Sequence, residues 1–323
     1  MYKSGTLMLM KACTPVHPGA AEGVGAIDLP IQRETSTDWP IIQSGTQKGA
    51  MRDAGDIKAN NDAAMKAHVK VLFGPDKSPD HAGALGICDA QVLLFPVRSL
   101  KGVYALVTCP MALARFRQNL EALSSVSHTL LSDPVEEVKL EDLLQRIGQP
   151  AYNKVKTPKQ PDGRNPAFKS PLLITKTVDN QEKDFVVLGQ CAWEAEHDQD
   201  LYLLGKWLQD NFSALTDLMN HLALVSDDDF TDFVKYSTEV ITRNRIDDTK
   251  GVVEEGGLWT EEHLPRETVL YAPIFAAESL DSTKDMAPKE VIEKLKELMP
   301  DDNYFWAGGD TTVGRGLLTY CFK

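Results

Sequence analysis

Apolar residues in this chain come in short dense runs, with polar stretches between them. GTLMLMKA (residues 5–12) is apolar almost throughout, which predicts a strand buried on both faces. The next stretch, SGTQKGAMRDAGDIKANND, predicts a helix from about Thr46 with Ser44 as its cap, and 62–72 predicts a second helix. QVLLFPVRS (91–99) and GVYALVTC (102–109) are apolar runs joined by a turn at Leu100-Lys101-Gly102. They predict a hairpin, with Pro96 hinting at an edge or bulge. PMALARFRQNLEAL opens a helix with Pro110 at its first position. Strand, helix, strand, strand, helix is most of a ferredoxin-like, RRM-type unit.

The pattern then loosens. Residues 125–180 are polar and proline-dotted, and QPAYNKVKTPKQPDGRNP predicts a loop. DFVVLGQCAW (184–193) predicts a strand and 201–222 an amphipathic helix. SDDDFTDFVKYS predicts a helix capped by Ser226, with Asp229 three residues on. EVITRNRID (239–247) and GLWTEEH (257–263) flank a polar turn and predict a long hairpin standing off the body. TVLYAPIFAA (268–277) predicts a strand and APKEVIEKLKELM a helix. NYFWAGGDTTVGRGLLTYCF predicts strand, glycine loop, strand.

Composition narrows the class. The net charge of −13 over 323 residues, taken alone, argues against a nucleic-acid partner. The charge is uneven, however: residues 151–180 carry 6 Lys/Arg against 2 Asp/Glu, and residues 181–232 carry 2 against 12. A neutral or basic face can therefore coexist with acidic ones. The five cysteines are scattered without a CxxC, so neither a disulfide framework nor a zinc site is indicated, and a cytoplasmic location is expected. No apolar run is long enough to predict a membrane span.

Four places carry candidate chemistry. HPGAAEGVGAIDLPIQRE (17–34) sets Asp28 at the end of a run of small residues (Gly19, Ala20, Ala21, Gly23, Gly25), with His17 at the mouth of the same loop. Ser44-Gly45-Thr46-Gln47-Lys48-Gly49 puts small and hydroxylated residues and a lysine at a helix start, which suits a phosphate or an ordinary capped helix. GGDTTVGRG (308–316) sets Gly308, Gly309, Gly314 and Gly316 around Arg315. It reads as a close backbone approach to a ligand or as a hairpin loop; it is not a dinucleotide fingerprint. Asp227-Asp228-Asp229 reads as a metal cluster or as a helix start that favours carboxylates.

These blocks together carry a resemblance. TPVHPG (14–19), GAIDLPIQRE, PIIQSGTQKGAMRD, VSDDDFTDF, EVITRNRID, GLWTEEHLPRETVLY and GGDTTVGRG occur in order over nearly the whole chain. They resemble the RAMP superfamily, and more narrowly the backbone subunits of type III-B CRISPR (Cmr) complexes. Pro18, which shifts a loop glycine, and His263, where the resemblance leads one to expect a tyrosine, depart from that pattern.

The resemblance implies an α+β fold, with a ferredoxin-like or RRM-like palm, helical insertions and a protruding β-hairpin thumb. The palm would comprise mainly 1–124 and 266–323, the insertion 125–238 and the thumb about 239–265. It implies copies of the subunit stacked as a filament on CRISPR RNA with the other Cmr subunits, paired to single-stranded target RNA, with no membrane role. Ser44, Lys48 and Arg52 would line the guide with the Gly308–Gly316 loop, and Ile246, Leu258 and Trp259 would wedge at a splayed base. Asp28 would be needed for target cleavage with a divalent metal, Mg²⁺, which it would hold. His17 would assist as acid or base, with Glu261 and His263 as further candidates on the thumb. Two rival readings stand beside this one: a non-catalytic RNA-binding backbone, and a small-molecule phosphohydrolase using His17, Asp28 and Asp227–Asp229.

Overall fold

The strand Ser4–Ala12 turns alternate side chains into two separate cores, as its unbroken apolar run requires. Leu7 and Leu9 face one side, packed with side chains of the helices Pro110–Ser124, Leu140–Arg146 and Gln199–Asn211. Met8 and Met10 face the other, with the helices Ser44–Ala59, Ala63–Phe73 and Pro288–Leu298. The structure is a computed structural model that describes residues 1–20, 25–75, 81–127, 134–135, 138–161, 168–282 and 284–323. Ala21 and Gly23 of the small-residue run, and part of the proline-dotted loop, lie outside the described residues.

Four antiparallel strands form the palm, in the order Leu317–Phe322, Ser4–Ala12, Val269–Ala276, Ala90–Arg98. In chain order that is fourth, first, third, second, the ferredoxin-like arrangement. The third palm strand is thus Val269–Ala276, whereas the sequence pattern pointed to the 102–109 run. Tyr104–Thr108 does form a hairpin with Ala90–Arg98, but on that strand's outer edge. From there the sheet continues through Leu222–Leu224, Lys154–Pro158, Cys191–Asp198, Gln181–Leu188 and Ile174–Val178. Two of these pairings are parallel, so the sheet as a whole is mixed. Between Lys154 and Leu224 the chain therefore brings strands as well as helices to the body.

Four local expectations need correction. QPAYNKVKTPKQPDGRNP, expected as a loop, contains the strand Lys154–Pro158, paired on both edges in the sheet. Residues 184–193 are not one strand but the turn of a hairpin, Gln181–Leu188 with Cys191–Asp198. Gly189, at φ +58°, supplies the left-handed residue for that turn. The expected 201–222 helix ends at Asn211, because Phe212 leaves helical geometry and buries its ring in the core. Helix Ser44–Ala59 begins at Ser44 itself, with Gln43 in the capping position.

The thumb hairpin pairs Glu239–Ile246 with Val253–His263 as its own two-stranded sheet. A register shift between Asn244 and Ile246 bends it toward its tip. Val240, Ile246, Val252 and Leu258 are exposed along it. Among the described residues, no helix is long and apolar enough to cross a membrane.

Candidate functional site

Asp28 lies beside the second thumb strand. Its Oδ2 accepts from the Thr260 amide and from the Thr260 hydroxyl, each at 2.8 Å, and the Asp28 amide donates back to that hydroxyl at 3.0 Å. The next residue continues the pairing. Leu29 N–H donates to the Thr260 carbonyl, and Glu262 N–H donates to the Leu29 carbonyl, both at 3.0 Å. Leu29 thus forms a single parallel bridge to Glu261 of the thumb strand. The proline at 30 has no N–H to offer, and here a ladder bond from that position is not needed. Asp28 is exposed, and the amide and hydroxyl of Thr260 hold its carboxyl below the usual carboxylate range.

Glu262 anchors the same segment from beneath. Its buried carboxylate accepts from Arg33 Nη2 (2.5 Å), the Thr238 hydroxyl (2.8 Å) and the Ile31 amide (3.1 Å).

His17, Glu261 and His263 come together, at a distance from Asp28 set by strand alternation: Thr260 and Glu261 face opposite sides of the strand. His17 is buried. Its Nδ1 donates to the Glu262 carbonyl at 2.7 Å, which fixes the tautomer and leaves Nε2 as the free nitrogen. The rings of His17 and His263 lie 5.3 Å apart. His263 is completely buried, and neither ring nitrogen has a hydrogen-bond partner. Burial, then the charges of His17 and Arg315, push its pKa down, so the ring is neutral at pH 7. A buried unpaired donor of this kind costs about 1–3 kcal/mol.

Asp310, which sequence reasoning passed over, completes this group. Arg243 Nη1 donates to both Glu261 oxygens (2.9 and 3.1 Å) and to Asp310 Oδ1 (2.8 Å). Burial opposes ionisation of Asp310, but the hydrogen bonds with Arg243 and Glu261 and the charge of Arg243 together outweigh it and hold the carboxyl low. Trp259 donates its indole N–H to Glu261 Oε1 at 2.6 Å, and the Arg243 guanidinium lies 5.6 Å from its ring centre. Trp259 is therefore tied to the thumb base, while Leu258 (62% exposed) and Ile246 (51%) stand free.

The glycine loop at 308–316 packs on its own chain. Gly309 N–H donates to the His17 carbonyl at 2.8 Å, and a Cβ on Gly308 would lie 2.5 Å from that oxygen. Gly316, at φ +86°, sits against the Ala307 carbonyl with no room for a side chain. Gly316→Ala is expected to lower stability by about 2 kcal/mol or more. Gly45→Ala, at a site with nothing within 4 Å, is expected to change it little. Denaturant midpoints of the two variants check this.

Between this loop and helix Ser44–Ala59 lies a cavity of about 810 Å³, lined by His17, Thr46, Asp53, Trp306, Gly308 and Thr311 among others. Ser44, Lys48 and Arg52 form the neighbouring stripe of the helix and do not line it. The Ser44 amide already donates to Asp89 at 2.7 Å. Burial, then Arg52, lowers the Lys48 pKa, and Arg52 lies 3.7 Å from Asp56. Gly314 meets open space, and Arg315 is half-buried beside His263.

The three aspartates 227–229 serve the helix Asp227–Tyr236. Ser226 caps it through the Asp229 amide (3.0 Å), and Asp227 accepts from the Met111 amide (2.8 Å) and from Gln149. Among the described residues the one group with metal-ligand spacing is Glu261, His263 and Asp310.

The sequence matches the RAMP superfamily over residues 9–319. It is 32% identical over 316 residues to the "CRISPR system Cmr endoribonuclease Cmr4" of Pyrococcus furiosus, covering 96% of this chain and 92% of that one. It is 26% identical to the "CRISPR system CMR subunit Cmr4" of Saccharolobus solfataricus over 96% of this chain and 93% of that one. The crystal structure of oligomeric Cmr4 from Pyrococcus furiosus superposes with a TM-score of 0.66 at 25% identity, covering 99% of this chain and 98% of that one. The fold is also that of a chain in the type III-B Cmr-beta complex bound to cognate target RNA, with a TM-score of 0.73 at 20% identity, over 99% of this chain and 98% of that one.

Proposed function

Because this chain belongs to the RAMP superfamily, we propose that it is the backbone subunit of a type III-B CRISPR effector. In this reading, copies of the chain line a CRISPR RNA beside the other Cmr subunits, in the cytoplasm, and cut the paired target RNA. A full-length relative named as an endoribonuclease supports the activity. One observation carries the residue assignment: Asp28 is ionised, exposed and bound to the thumb strand through Thr260. The residue that acts on RNA and the element that would part guide from target are thus one ribbon.

The reaction is an in-line transesterification. The target 2′-oxygen bonds to the adjacent phosphorus, the bond to the 5′-oxygen of the next nucleotide breaks, and a 2′,3′-cyclic phosphate remains. Asp28 orients the attacking hydroxyl and accepts its proton; Thr260 fixes Asp28 so that this geometry is preset. The departing 5′-oxygen takes up a proton delivered through His17 Nε2, the second acid–base group. Glu261 and His263 shape the base of the thumb between them.

The donor set around Asp28 suits Mg²⁺: a hard carboxylate oxygen open to solvent, with the remaining ligands from water and phosphate. When bound, that ion would neutralise charge developing on the phosphate. Guide contacts would fall to Ser44, Lys48, Arg52 and the 308–316 loop, and base-wedging to the free apolar residues Ile246 and Leu258 with Trp259 behind them.

The test is cleavage of a guide-matched, end-labelled RNA by the reconstituted complex. A ladder of regularly spaced products that requires this chain is expected. Target binding without a ladder would leave it a non-catalytic backbone. The phosphohydrolase reading is less well supported, since the Asp227 and Asp229 carboxylates are engaged at the helix start.

A further inference from the structure

Three donors converge where the thumb meets the glycine loop. His263 Nε2 lies 3.9 Å from Glu261 Oε2 and 4.0 Å from Asp310 Oδ2. All three donor atoms fall within 4.8 Å of one another. The imidazole is 0% exposed and both its nitrogens lack a partner, so a polar group is buried and aimed at two carboxylates it does not reach. We propose that Glu261, His263 and Asp310 bind a transition-metal divalent cation, Mn²⁺ or Zn²⁺, that brackets the base of the thumb to the 308–316 loop.

The donor set decides the class of ion. An imidazole beside two carboxylates suits borderline first-row metals, whereas Mg²⁺ prefers oxygen and keeps its waters. Metal–donor bonds of about 2.0–2.2 Å place tetrahedral donors roughly 3.4 Å apart. Each gap to His263 therefore needs to close by about 0.5 Å, within reach of side-chain rotation. The fourth position would be open to water.

Arg243 holds the two carboxylates from the other side, through both Glu261 oxygens and Asp310 Oδ1. Its charge weakens the attraction for a cation, as does that of Arg315 beside His263, so the two carboxylates only offset the two guanidiniums and the direct metal–donor bonds must supply the affinity. Arg243 also orients the ligands, as outer-shell partners of metal sites do. Glu261 and His263 come from the thumb and Asp310 from a loop 47 residues farther along the chain. The ion would therefore cross-link two segments that the covalent chain leaves apart. This site is separate from Asp28 and does not depend on the chain cutting RNA.

The experiment uses the full chain, freed of metal by a chelator and then titrated with Mn²⁺, with electron paramagnetic resonance reporting bound and free ion. Wild type and Asp28→Asn are each expected to bind an ion coupled to an imidazole nitrogen. His263→Gln and Asp310→Asn should weaken that binding at least tenfold and remove the nitrogen coupling. Thermal melts should rise with Mn²⁺ or Zn²⁺ in wild type and not in those two variants. If His263→Gln fails to fold, Asp310→Asn carries the test, because Asp310 is partly exposed. Absence of a nitrogen-coupled ion in wild type, or its persistence in Asp310→Asn, would overturn the proposal.

Discussion

Asp28→Ala is expected to slow target-RNA cleavage by about 10²–10⁴-fold, the usual cost of losing an acid–base group, while guide and target binding stay at wild-type affinity. The separation follows from the structure. The Asp28 side chain is exposed, and its hydrogen bonds run to a single residue, Thr260, so removing it leaves the core intact. The segment stays docked through the backbone bonds of Leu29. Asp28→Asn should fail equally: it keeps an acceptor for Thr260 but cannot take a proton. Thr260→Val should fall between, since the carboxylate keeps the amide but loses the hydroxyl. Single-turnover cleavage and gel-shift titration of the same complexes decide the matter. Near-wild-type cutting by Asp28→Ala would move the chemistry to another residue.

Glu262→Ala is expected to cost about 3–5 kcal/mol of stability, the range for breaking a buried ion pair by removing one partner. Its carboxylate gathers Arg33, Thr238 and the Ile31 amide. Without it the Arg33 guanidinium is left beneath the thumb with only carbonyl acceptors, those of Asp38 and Val234. The variant should melt several degrees lower, and any folded fraction should cut poorly, because the Ile31 amide no longer holds the 28–31 segment to the thumb. Glu262→Gln keeps the shape and loses the charge, so its loss should be smaller. A Glu262→Ala protein that melts like wild type would show that the backbone pairing alone positions Asp28.

The adjacent pair Glu261 and Glu262 shows what the sequence could and could not convey. Both glutamates were visible in GLWTEEH. Alternation sends one toward Arg243 and the other toward Arg33, and nothing local says which is which. Asp310 sat inside a motif read for its glycines. Its φ of +62°, a conformation aspartate tolerates, and its place beside His263 depend on contacts 47 residues back. The local elements of the palm were legible because each has its own period or cap. The pairing of Val269–Ala276 with Ala90–Arg98 was not, because the hairpin to Tyr104–Thr108 satisfies the same strand nearby. The turn at Gly189 was not legible, because the apolar run around it reads as one continuous strand.

The placement of Ser4–Ala12 between Val269–Ala276 and Leu317–Phe322 also bears on synthesis. The strand Ser4–Ala12 leaves the ribosome with no palm neighbour until more than 250 further residues have followed it. Its second neighbour arrives only with residues 317–322. During translation its two apolar faces and both hydrogen-bonding edges await partners, the condition in which nascent chains aggregate or recruit chaperones. The hairpin at 90–108 and the thumb can close as they emerge, since their strands are close in sequence. The palm cannot, so completion of the fold, and any assembly onto RNA, waits for residues 317–322 and is set by the slowest, longest-range pairing.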